Sequence, residues 1–231
     1  MKNLIYLVLF SLTMQANAQS PASNYNFTHK YIVEVTDHRG RENIIEYYLP
    51  TNGNYIGMNT EKINSQKSIT TVIDIDQKAT FMFMKNGDTK TLWASNLDFT
   101  AMVRDATNLK DIQVESTNET KKILGYECKK YNVTGEDMHA VVWVAKDAAA
   151  NLSEKIIYQL SFYRFINQRR TDYGNDQSEY MEALMGLTMK IVNTDTSRRN
   201  PRVTTWVCGA FEPYSYNIVS AEYEEIRLLG R

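Results

Sequence analysis

The chain has 231 residues, with 26 lysines and arginines against 27 acids, a formal charge of −1, and two cysteines. A near-neutral balance gives no electrostatic ground for a nucleic-acid partner, which needs a concentrated basic surface. The length suits one domain whose core does not depend on disulfides.

In chain order the first expected element is a leader. Met1-Lys2-Asn3 is a short positive start, Leu4 to Leu12 an apolar run too short to cross a bilayer as a helix, and Ala16-Asn17-Ala18 a small-x-small cleavage pattern. This predicts a secretory signal peptide over 1–18 and a single domain over 19–231, in the periplasm or outside the cell. No cysteine follows the apolar run, so no lipidation site of the bacterial lipoprotein type is expected. No later stretch has the ~18 apolar residues of a membrane span, so no transmembrane segment is expected either. In an exported chain Cys128 and Cys208 invite a disulfide, but both lie in apolar, strand-like runs where a free cysteine is simply a small buried hydrophobe. The residues leave both readings open.

Strand is the dominant local signal. His29 to Val35 and Asn43 to Leu49 flank a turn at Asp37-His38-Arg39-Gly40, and Tyr55 to Met58 makes a short third strand. Ser68 to Asp76, SITTVIDID, alternates with period two: Ile69, Thr71, Ile73 and Ile75 share one face, Thr70, Val72, Asp74 and Asp76 the other. Ala79 to Lys85 and Thr89 to Trp93 flank Asn86-Gly87, a strong hairpin signal. After a break, Ile112 to Val114 is strand-like. Lys122 to Lys146 then reads as one hairpin turning at Gly135-Glu136-Asp137, with Cys128 and Trp143 as packing residues. Helical spacing is confined to Ser95–Asp105, to Asn151–Asn167 (Leu152, Ile156, Leu160, Tyr163) and to Ser178–Leu187 (Tyr180, Met181, Leu184, Met185). Thr188 to Asn193, Val203 to Val207 and Asn217 to Arg227 complete the strands. With no alternation of strand and helix, a nucleotide-binding α/β fold is excluded. The fold class is mainly β (α+β).

Little in the chain carries chemistry. Three histidines in no metal spacing, two cysteines outside any Cys-x-x-Cys, and no phosphate-loop or Gly-x-Ser-x-Gly pattern predict no cofactor, no metal and no catalytic residue. Two arrangements are weighed as enzymatic: Cys128 with His139, and the carboxylates Asp74 and Asp76, about 7 Å apart on one strand face. The basic run Arg198-Arg199-Asn200-Pro201-Arg202 reads as a solvated turn, with a phosphate or anionic lipid as the functional rival. More informative is Phe81-Met82-Phe83-Met84, apolar on both faces of one strand, where a one-sided antiparallel sheet alternates.

Gly125, Cys128 and Tyr131 form a Gly-x-x-Cys-x-x-Tyr strand, followed by a strand containing Trp143. Together with LMGLTMKIVNTD (Leu184 to Asp195) this resembles a family of exported bacterial domains, number 4412 in the domain-of-unknown-function series, over Asn26 to Asp195. Thr188 stands where the family often has proline. The resemblance implies a fold related to the LolA and LppX periplasmic lipoprotein carriers: a curved antiparallel half-barrel with two or three helices on its concave side around an apolar cavity. It points to a Gram-negative source and to a non-enzymatic protein. The expected ligand is a lipid or a lipoprotein acyl chain. The candidate cavity residues are Phe81, Phe83, Trp93, Trp143, Leu160, Met181 and Met185. The alternative is an interaction protein of the cell envelope, with envelope proteins as partners and a filled core.

Overall fold

The computed structural model describes residues 20–59, 67–96, 113–160 and 185–226. The expected leader lies outside them, as do 97–105, 161–167 and 178–184 of the three expected helices. Twelve strands make one sheet: β1 (Asn24–Thr36), β2 (Glu42–Leu49), β3 (Tyr55–Asn59), β4 (Lys67–Asp74), β5 (Ala79–Asn86), β6 (Thr89–Asn96), β7 (Gln113–Ile123), β8 (Tyr126–Gly135), β9 (Met138–Ala145), β10 (Leu187–Asp195), β11 (Arg202–Val219) and β12 (Glu224–Glu225). Their order in space is β12-β6-β5-β4-β3-β2-β1-β11-β10-β9-β8-β7. Every pairing is antiparallel except β12 with β6.

The sheet is large, curved and unclosed, and chain length shows why it must curve. In the spatial order β6 lies six strand spacings from β11, about 29 Å in a flat sheet. Yet β12 pairs with β6 only a few residues after β11 ends, a reach of no more than roughly 18 Å. The 3₁₀ turn Ser220–Glu222 makes the crossing. It is held by Ser220, which bonds the Ser23 and Ala22 carbonyls, and by Glu222, which pairs with Lys90 of β6.

Local chemistry explains the turns. Between β1 and β2 the Asp37 carboxylate accepts from the Arg39 and Arg41 backbone N–H groups at 2.8 and 3.0 Å and from the Arg41 guanidinium at 2.7 Å. These bonds hold the Asp37 carboxyl down at about 2. Between β7 and β8 the turn residues Leu124 and Gly125 both have positive φ, 50° and 86°, as the tightest hairpins require. The stretch read as one hairpin is therefore two: the end of β7, all of β8 and all of β9. β11 is a single strand of 18 residues rather than two short ones. It accommodates Pro213 because that residue pairs only with His29 of β1, while β10 pairs β11 from Arg202 to Val207. A missing N–H costs nothing on an edge without a partner.

Of the expected helices, one α-helix is present among the described residues: α1 (Glu154–Leu160). Ser153 begins it, its Oγ accepting from the Ile156 N–H at 3.3 Å, as an N-cap does. The expectation of two or three helices is not supported. Ser95 and Asn96 pair with Thr80 and Ala79 and so extend a hairpin instead of capping a helix. Leu187 begins β10.

Among the described residues the core gathers in two clusters. The first joins Tyr25, Phe27, Tyr48, Val72, Phe81, Phe83, Leu92 and Ile218. The second gathers Tyr31, Val33, Leu49, Ile56, Cys128, Trp143, Leu187, Met189 and Cys208 around Leu152 and Ile156 at the start of α1. Tyr25, Phe27, Tyr31 and Val33 have the same parity on β1 yet enter different clusters. The register shift between Phe27 and His29 separates the two pairs, the kind of irregularity by which a long strand turns a corner between layers.

Gly57 in β3 shows how tight the first cluster is. A Cβ there would lie 2.9 Å from the Phe27 ring and 3.1 Å from the Tyr48 Cβ. Phe27 is itself wedged by Tyr48, Tyr55 and Tyr216 at ring distances of 5.9, 5.4 and 5.9 Å, so it has nowhere to move. Gly57→Ala is expected to cost about 1–3 kcal/mol of overpacking strain, read as a lower denaturation midpoint.

Candidate ligand-binding face

Residues directly paired across a sheet share a face, so the register sorts β1 to β6 into two faces. Tyr48, Gly57, Val72, Phe81 and Ala94 form one row, with Thr70, Phe83 and Leu92 beside it. Nearly all of this face is sealed inside the first cluster. The opposite face carries another row: Phe211, Tyr31, Tyr47, Met58, Thr71, Met82 and Trp93, one residue from each of seven strands, β11 and β1 to β6. Ile69 and Met84 flank it on one side, Ile56 and Ile73 on the other. Six of the seven are apolar or aromatic. Tyr31 is buried as a member of the second cluster, Tyr47 and Phe211 are half-buried against that cluster, and Met58, Thr71, Met82 and Trp93 are half-buried.

This second face departs from the ordinary one-sided antiparallel sheet, whose outer face is polar. The row is also organised. Tyr31 stacks on Tyr47 at 5.8 Å and meets Phe211 edge-on at 6.4 Å. The Tyr31 hydroxyl donates to the Thr188 carbonyl at 2.6 Å, tying the row to β10. Burial pushes that phenol well above its usual range, so it remains a donor. The three methionines, Met58, Met82 and Met84, add flexible apolar contact that adapts to irregular partners.

The sequence-expected residues divide unevenly. Trp93 lies in the row. Phe81 and Phe83 do not: they are 0% and 2% exposed and pack on the other face against Tyr25, with Phe83 also against Tyr223 at 5.0 Å. They belong to the filled core, and the alternate residues Met82 and Met84 take the half-buried side. Trp143 packs in the second cluster, with Lys121 Nζ 3.9 Å above its ring, and Leu160 of α1 packs against the same cluster. Met185 is half-buried just before β10, and Met181 lies outside the described residues. Tyr31, Tyr47, Met58, Met82 and Phe211 join Trp93 in the row without being among the sequence-expected residues. Their signal was the period-two alternation of each strand, which gives two faces without saying which one is closed.

The groups weighed as catalytic are engaged or apart. Cys128 and Cys208 are both free thiols buried in the second cluster. Strands β9 and β10 lie between theirs in the sheet, so they are not on neighbouring strands. Burial pushes the Cys208 thiol up to about 12 and raises that of Cys128, so neither is a thiolate near neutrality. His139 pairs with Thr134, six residues along β8 from Cys128 and about 20 Å away, so the two form no dyad. Asp74 ends β4, buried, accepting from the Tyr25 hydroxyl at 3.2 Å and the Gln77 N–H at 3.0 Å. Asp76 is in the turn beyond, exposed, bound by Lys155 of α1 at 2.5 Å and Asn54 at 2.8 Å. The two carboxylates are thus committed to different partners. Among the described residues no three His, Cys, Asp or Glu side chains group to hold a metal, and no helix is long and apolar enough to cross a membrane.

A family model described as "Domain of unknown function (DUF4412)" matches residues 27–203. No curated protein matches the chain. Among solved structures, "Structure of PNGF-II in P21 space group" is similar at 15% identity with a TM-score of 0.39, covering 87% of this chain and 31% of that one. The chain thus spans about a third of that protein's length. "Crystal structure of LolA superfamily protein NE2245 from Nitrosomonas europaea" is similar at 11% identity and a TM-score of 0.21, covering 88% of this chain and 92% of that one. Scores this low carry no inference about binding. The family match spans most of the chain, and the chain belongs to the DUF4412 family.

Proposed function

We propose that this member of the DUF4412 family is an exported, non-enzymatic binding protein that holds a lipid or acyl chain along the Tyr31-to-Trp93 face. The observation that carries the reading is the half-buried apolar strip of Met58, Met82, Met84 and Trp93, opposite a core that is already filled and continuous with Tyr47 and Phe211 at the edge of the second cluster. Burial supplies the affinity, roughly 25 cal/mol per Å² of apolar area or about 0.8 kcal/mol per methylene, before the costs of association. The leader expected over 1–18 supports export. Buried, protonated thiols and carboxylates committed to local partners support a binding role over a catalytic one.

The test is native mass spectrometry of the protein taken from its own exported compartment, followed by organic extraction. A co-purifying fatty acid, phospholipid or lipopeptide is the expected result. A clean unliganded mass, together with no binding of a fluorescent fatty acid, would sink the proposal and leave the envelope interaction protein as the better reading.

A further inference from the structure

Every arginine among the described residues lies in one place. Arg39 and Arg41 are in the β1–β2 tip, and Arg198, Arg199 and Arg202 are in or beside the β10–β11 tip, whereas the lysines are spread over β1, β4 to β8, β10 and α1. The tips are more than 150 residues apart in sequence but adjacent in space. β1 pairs with β11 through Thr36 and Thr205, and β11 pairs with β10 through Arg202 and Asp195. Between them is a cleft of about 530 Å³, lined by Thr36, Asp37, His38, Asn200, Arg202 and Thr205.

Two of the five nearby acids, Asp37 and Asp195, are held by local partners. The Asp37 carboxylate is taken by Arg41, at 2.6 Å to its Nη2, and by two backbone N–H groups. Asp195 accepts from the Ser197 N–H and hydroxyl at 3.0 and 2.5 Å, and it feels Arg198 and Arg202 only as nearby charges. Glu42, which opens β2, and Glu136 and Asp137 in the neighbouring β8–β9 tip are exposed acids, and the Asp137 backbone carbonyl accepts from the Thr196 N–H. Of the arginines only Arg41 has an ion pair among the described residues. Arg39, Arg198 and Arg199 are exposed, and Arg202 half-buried in the cleft wall. A planar guanidinium offers a fork of donors that matches two phosphate oxygens at once, which an ammonium does not.

We propose that this cleft binds a phosphate ester, gripped by Arg202 with Arg39, Arg198 and Arg199 at its rim, and by Thr36, Thr205 and Asn200 as neutral donors. The same chemistry comes from a phospholipid headgroup or from a soluble phosphate. The proposal does not depend on the apolar face, which uses none of these residues.

The experiment takes the full exported protein and measures binding of inorganic phosphate and glycerol 3-phosphate by calorimetry. Binding to phosphatidylcholine vesicles with and without phosphatidylglycerol is measured by sedimentation. Arg199→Gln with Arg202→Gln should weaken whichever phosphate probe binds by about tenfold or more. Lys85→Gln with Lys122→Gln removes the same charge elsewhere and should change it by less than about twofold. Binding to phosphatidylglycerol vesicles alone supports the site with a lipid headgroup, and binding to the small phosphates alone supports it with a soluble ester. Arg199→Lys with Arg202→Lys keeps the charge but not the fork, and it too should lose most binding, whatever the glutamine pair does to folding. No binding to any probe, equal loss in the Lys85/Lys122 pair, or full binding by the lysine-for-arginine pair overturns the proposal.

Discussion

Phe81→Ala should lower the unfolding free energy by about 3–5 kcal/mol, while Met82→Ala, one residue on, should cost less than about half as much. The chemistry of the two deletions is similar, so the difference lies in their surroundings. Phe81 is fully buried, between Val72 and Ala94 across the strands and 6.3 Å from the Tyr25 ring. Tyr25 cannot fall into the space, because its hydroxyl is fixed to the buried Asp74 and its ring is set edge-on against Tyr55 at 5.0 Å. The cavity therefore persists and adds its own cost. Met82 is half-buried between Thr71 and Trp93, where water reaches part of the space the deletion leaves. Urea unfolding of both variants, with unchanged m-values, measures the difference. Equal costs would mean that the filled face and the open face have been assigned wrongly.

That pair of residues also marks where the sequence stops being informative. Period-two alternation located β2 to β5 to within two residues at each end, but it began β1 five residues late, at His29 instead of Asn24, and ended β6 three residues early. In SITTVIDID it also separated the right face partners, because one face carries Thr70, Val72 and Asp74 and the other Ile69, Thr71 and Ile73. In Phe81-Met82-Phe83-Met84 both faces are apolar, so no local rule says which is closed. That decision belongs to Tyr25, Phe27, Ile218 and Tyr223, which reach the site from both ends of the chain. β7 was nearly invisible for the opposite reason. As the edge strand next to β8 it is polar and largely exposed, and it lacks the apolar stripe that marks a half-buried strand. Its turn through Leu124 at positive φ has no usual turn residue in that position. β11 looked like two strands because Gly209 and Pro213 are ordinary breakers. Gly209 instead sits at a register shift, and Pro213 faces an edge that β10 does not reach. The basic run at Arg198 to Arg202 was legible as composition. Its neighbours Arg39 and Arg41 were not, since only the pairing of β1 with β11 brings them alongside.

Met82→Asp should abolish binding of an acyl probe, with at least about a hundredfold loss, while the protein stays folded. A carboxylate between Thr71 and Trp93 would have to be desolvated by any chain lying from Tyr47 to Trp93, and an unpaired charge against an apolar partner costs several kcal/mol, more than the ~2.7 kcal/mol that a hundredfold represents. Because Met82 is half-buried, the same aspartate remains hydrated in the unliganded protein, so its cost falls on the complex rather than on the fold. Thr71→Val supplies the opposite sign. Thr71 is the one polar member of the row, between Met58 and Met82, and replacing its hydroxyl by a methyl extends the apolar strip without changing its shape. Binding should tighten by a few-fold, in line with the roughly 0.8 kcal/mol that each added buried methyl or methylene group contributes. A general loss of structure moves both variants in the same direction, and a ligand held elsewhere moves neither. Only a ligand lying on this row makes them diverge, so fluorescence titration of the two with one fatty-acid probe decides whether the second face of the sheet is the binding surface.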